Sequence, residues 1–82
     1  MFLKYRNKIN NSIVFAGLYT EGLEDGFDYK YRDMYYPGNK IPYINTLEGK
    51  MYVSKDDYIV IEDNNNKYTC KSGKFENDYE LV

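Results

Sequence analysis

The apolar residues of this chain come in short stretches with a period of two, and each stretch runs into a break rich in Asn, Asp or Gly. Side chains that alternate between two sides suit a strand, and the breaks leave no room for long helices. Ser12-Ile13-Val14-Phe15-Ala16 is an apolar, partly β-branched strand candidate stopped by Gly17. Ile41 to Thr46 and Lys50 to Ser54 flank Leu47-Glu48-Gly49, and Gly49 supplies the left-handed residue that a three-residue hairpin loop needs. Asp57 to Glu62 and Lys67 to Lys71 flank Asp63-Asn64-Asn65-Asn66, a turn in residues that tolerate positive φ. Phe2 to Arg6 reads as a short extended stretch, Tyr79 to Val82 as a closing strand, and Leu18 to Phe27 as a loop or one weak helical turn. Ser72 is expected to cap one helical turn over Gly73 to Asp78, with Glu76 near its positive end. The expected fold is mostly β (or α+β): five to seven short strands in a small twisted sheet or partly open barrel, with one or two short helical turns. The apolar members of the alternating stretches and of the one short helix, Ile13, Phe15, Ile44, Met51, Val53, Ile59, Ile61, Phe75 and Leu81, are the expected core.

At 82 residues the chain makes a single domain, 1–82, with a thin core. The net charge of −2 disfavours direct nucleic-acid binding, which needs a basic field. One cysteine forbids an intramolecular disulfide, and one cysteine with no histidine leaves no zinc site. No apolar run approaches the roughly 20 residues of a membrane span, and MFLKYRNK lacks the apolar stretch of a signal peptide. A protein of a reducing compartment, away from membranes, is expected.

Histidine-based catalysis is excluded by composition. Cys70 has no histidine to activate it and falls mid-strand, where a free cysteine packs as a small apolar residue. Glu21, Glu24, Asp25 and Asp28 form an acidic run without the spacing of a calcium loop. Asp56-Asp57 reads as a turn, since neighbouring strand residues point apart. The expectation is a protein that is not an enzyme and holds no cofactor or metal.

Binding remains, and here the eleven tyrosines matter. In Asp28 to Tyr36, alternation turns Tyr29, Tyr31, Asp33 and Tyr35 one way and Lys30, Arg32, Met34 and Tyr36 the other, before Pro37-Gly38-Asn39 turns the chain. Tyr29, Lys30, Tyr31, Arg32, Tyr35, Tyr36 and Lys40 thus make a basic, aromatic patch in an acidic protein. Such a patch could anchor a protein partner or stack a base and pair a phosphate. The competing reading is a twisted edge strand whose tyrosines are scaffold.

Four segments together resemble a family of small proteins common in phages of Gram-positive bacteria. They are Lys4-Tyr5-Arg6-Asn7-Lys8, Glu21-Gly22-Leu23-Glu24-Asp25-Gly26-Phe27, Pro42-Tyr43-Ile44-Asn45-Thr46-Leu47-Glu48-Gly49-Lys50-Met51-Tyr52-Val53-Ser54, and a closing set. That set comprises Asp57-Tyr58-Ile59-Val60, Tyr68-Thr69-Cys70-Lys71, Phe75-Glu76 and Tyr79-Glu80. The family's hairpin glycines are replaced by Glu62 to Lys67, and its prolines around Cys70 by Thr69 and Ser72. The Asn-rich turn near the start and the Tyr-rich Asp28 to Tyr36 segment look particular to this member. The resemblance implies a bacteriophage accessory protein in the host bacterial cytoplasm, and it transfers no catalytic residues. With the small size, acidity and aromatic surface, it points to stoichiometric binding that inhibits a host-defence protein, such as a CRISPR effector. A homo-oligomeric sponge that sequesters a nucleotide immune signal is the alternative. A structural or regulatory phage protein without a defence role is a third.

Overall fold

The computed structural model describes residues 2–30 and 39–82. The Asn7 carboxamide accepts hydrogen bonds from the N–H groups of Ile9 and Asn10, and Asn11 takes a φ of 62°. That tight turn reverses β1 (Leu3–Asn7) into β2 (Ile13–Leu18), which pair antiparallel. Gly17 does not stop β2, because it lies opposite Ile59 inside the sheet. β3 (Gly26–Lys30), β4 (Asn39–Thr46) and β5 (Gly49–Tyr52) form a second antiparallel set. Gly49 has a φ of 116°, the left-handed residue expected after Leu47-Glu48. β6 (Asp57–Ile61) and β7 (Lys67–Lys71) make the last hairpin, turned at Asn65 with a φ of 66°. Asp57 closes the turn before β6: its N–H donates to the Ser54 carbonyl, and its carboxylate accepts from the Ser54 N–H at 3.0 Å. α1 (Ser72–Asp78) and β8 (Tyr79–Leu81) complete the order.

The fold is mostly β, as expected, with eight strands among the described residues rather than five to seven. They form an antiparallel five-stranded sheet in the order β7-β6-β2-β1-β8 and a three-stranded sheet in the order β3-β4-β5. The two do not close into a barrel. Ser72 is not the helix cap. Lys71 holds that position with extended backbone and no side-chain cap bond, and Glu76 lies beyond the first turn.

The core has two parts, one on each side of the larger sheet. On one side α1 lays Phe75 over Val14, Ala16 and Val60. The Phe75 ring is stacked between Tyr58, with centroids 4.2 Å apart, and Tyr79 at 4.7 Å, and it meets Tyr5 edge-on. On the other side the smaller sheet brings Ile44 and Val53 onto Ile59, with Phe2, Tyr19, Leu23 and Met51 around them. β6 is therefore buried on both faces, Val60 toward the helix and Ile59 toward the smaller sheet.

Of the expected core, Ile44, Val53, Ile59 and Phe75 are buried, and Met51 and Ile61 are half-buried. Ile13, Phe15 and Leu81 are exposed instead, and Val14 and Ala16 take the inward places on β2. The reason is coverage. The helix covers the Val14 side of the sheet, whereas the smaller sheet reaches Ile59 but stops short of Phe15. Leu81 sits on the short outermost strand, outside the ground that Phe75 covers.

Two polar links join the sheets at their rims. The Lys67 ammonium donates to both carboxylate oxygens of Asp25, at 2.8 and 3.0 Å, and the Leu47 N–H donates to the Asn66 side chain. The Asn45 N–H also donates to Asp25 at 2.7 Å. The Lys67 hydrogen bond, then that of Asn45, holds the Asp25 carboxyl below its ordinary value. A depressed carboxyl stabilises the fold above the unfolded-state value and loses that contribution as pH falls through the folded one. Acid unfolding should therefore begin below about pH 4. Asp25→Asn should flatten this limb, read as melting temperature against pH, and an unchanged slope would exclude Asp25 as its source.

Candidate functional site

The β3–β4 register sets Tyr29 opposite Lys40 and Phe27 opposite Pro42, so all four share one face. The Lys40 ammonium stands 3.9 Å from the centre of the Phe27 ring. It is also 3.9 Å from a Glu21 carboxylate oxygen, an exposed and therefore weak ion pair. Tyr29 is 58% exposed. Tyr29 and Lys40 are thus cross-strand partners on an open surface, with Phe27 beneath the charge.

Two of the seven residues expected at the site, Tyr29 and Lys40, are brought together in this way. Lys30 holds the last position of β3, opposite Asn39. Tyr31, Arg32, Tyr35 and Tyr36 lie outside the described residues.

The opposite face of the same sheet carries a group that the sequence pattern did not mark. Asp28 accepts from the Tyr52 hydroxyl at 2.6 Å and from the Lys50 ammonium at 2.8 Å, and that ammonium lies 4.5 Å from the centre of the Tyr43 ring. The Lys50 bond, then the Tyr52 bond, lowers the Asp28 carboxyl, and Asp28 in turn raises the Tyr52 hydroxyl. The ring of Tyr43 passes so close to Gly26 that a β-carbon there would come within 2.6 Å of its Cζ atom. Glycine is needed at that point of β3 for the aromatic side chain to lie flat across the sheet.

The acidic run 21–28 is dispersed rather than gathered. Glu24 accepts from the Tyr19 hydroxyl at 2.6 Å and the Gly22 N–H at 2.9 Å, Asp25 binds Lys67, and Asp28 binds Lys50. Burial, then the Glu24 bond, pushes the Tyr19 hydroxyl up to about 12. No three acidic or thiol side chains among the described residues converge as metal ligands would. Cys70 is half-buried against the helix-side core, and burial pushes its thiol up, away from the reactive thiolate. No helix among the described residues is long and apolar enough to cross a membrane.

Comparison of the chain with family models, with curated proteins and with solved structures found no match.

Proposed function

We propose that this chain works by stoichiometric binding, with the face of the three-stranded sheet around Tyr29 and Lys40 at the contact. The supporting observation is that pairing of an exposed aromatic ring with a cation seated 3.9 Å over Phe27. Tyrosine is among the residue types that carry most binding energy at protein interfaces, and a cation beside it adds charge complementarity to an acidic partner. The resemblance to small phage proteins supplies the kind of partner: a host-defence protein in the bacterial cytoplasm, inhibited by occupation rather than by chemistry. The same ring and cation would suit a base and a phosphate if the chain instead sequesters a nucleotide signal as an oligomer.

The test is capture of a partner from host lysate, with extraction of bound small molecules from the same sample. Tyr29→Ala and Lys40→Glu should each weaken binding of the captured protein by about 1–3 kcal/mol. Lys74→Glu is the control, since Lys74 is exposed on the helix and, among the described residues, pairs only with Asp78. If the first two variants remain folded and bind like the parent, this face is scaffold. A tight oligomer carrying a nucleotide, with no captured protein, replaces inhibition by sequestration.

A further inference from the structure

The smaller sheet leaves part of the larger one uncovered. Tyr5, Val14, Ala16 and Tyr79 face the helix-side core, so alternation turns Lys4, Arg6, Ile13, Phe15 and Glu80 to the opposite side. The registers set these five next to one another across β8, β1 and β2. Glu80 lies opposite Arg6, Arg6 opposite Ile13, and Lys4 opposite Phe15. Asp63 borders the same area, since it lines one groove with Ile13 and Phe15. Ile13 and Phe15 keep 40% and 47% of their surface exposed, although β2 is the central strand of its sheet. Lys4, Arg6, Asp63 and Glu80 make no ion pair among the described residues.

We propose that a second copy of this chain packs here, open face on open face, with Lys4 and Arg6 of each copy against the carboxylates of the other. Charge is the argument for that occupant. Lys4 and Arg6 balance Asp63 and Glu80 around an apolar middle, in a chain whose net charge is −2. A strongly acidic or strongly basic partner would set like charges against one pair or the other. A second copy brings the same balanced set and satisfies both pairs. Identical patches meet about a two-fold axis, so each contact between cation and carboxylate is made twice. The layering agrees. The smaller sheet already packs on this side of the larger one, over Ile59. A second sheet laid on Ile13 and Phe15, at the usual spacing of about 10 Å, would continue that layer. It would also cover apolar surface that a core of this size cannot enclose alone. The face belongs to the five-stranded sheet, and the inference does not depend on the Tyr29–Lys40 face.

The test is sedimentation velocity of the full chain at rising concentration, with no other protein or nucleotide present. The parent should pass from monomer to dimer below about 1 mM. Arg6→Glu turns the face acidic and Glu80→Arg turns it basic, so each variant should self-associate about tenfold or more weakly than the parent. An equimolar mixture of the two should recover a dimer holding one of each. Circular dichroism checks that both variants fold. Amide NMR of the parent supplies a readout without any substitution: dilution should move the amides of Lys4, Arg6, Ile13 and Phe15 and leave those of α1 in place. The proposal is overturned if the parent stays monomeric to that concentration, or if dilution moves other surfaces instead. It is also overturned if both variants dimerise like the parent, or if their mixture stays monomeric.

Discussion

Phe75→Ala should lower the unfolding free energy by about 3–5 kcal/mol. In a domain of this size that is a large share of the total, and each kcal/mol moves the melting temperature by roughly 4–8 °C. Phe75 is the buried residue of α1, and its ring is in contact with three tyrosine rings. Removing it takes away the helix's anchor and leaves the facing surfaces of Tyr58 and Tyr79 without a partner between them. Thermal unfolding followed by circular dichroism reads the effect. Phe75→Leu should recover part of the loss, since it refills volume without the stacked geometry. A Phe75→Ala variant that melts with the parent would mean that α1 is not fastened through this ring.

Ile59→Ala should cost about 2–4 kcal/mol, and the loss should fall on the other side of the molecule. Ile59 is 1% exposed, and it is the residue of the larger sheet buried against Ile44 and Val53. Hydrogen exchange separates this from a general loss of stability. Amides of β4 and β5 should exchange faster in Ile59→Ala, while Val60→Ala should act first on α1 and β8, because Val60 faces Phe75. Equal acceleration of both regions by either variant would contradict the division of the core into two.

How far these sides could be read from the sequence depends on how local the cause is. The Leu47-Glu48-Gly49 and Asp63 to Asn66 turns were legible because Gly49 and Asn65 answer a need within a few residues, a positive φ. The inward side of β2 was not. Ile13, Val14, Phe15 and Ala16 are all apolar, so alternation gives two equal answers, and only the placement of α1 decides between them. On β6 the same search for one inward side had no single answer, because Ile59 and Val60 are both buried. At the candidate site, the residue pattern placed Tyr29 and Lys40 in one patch, but their pairing rests on the β3–β4 register. The Asp28 cluster was out of reach, since Lys50 and Tyr52 stand 22 and 24 residues away along the chain.

β7 lies at one end of the five-stranded sheet, where an outer strand ordinarily presents unpaired amides to any passing chain. Here the Thr69 N–H donates to the sulfur of Met51 at 3.2 Å, and the Thr69 hydroxyl donates to the same atom at 3.1 Å. The thioether of β5 thus occupies the middle of an edge that could otherwise template aggregation. A thioether is a weak acceptor, so what matters is its bulk and position as much as the bond itself. With the lysines at the two ends of β7, Lys67 and Lys71, it opposes fibril-like growth at that end, while the opposite end, β8, is limited by being only three residues long.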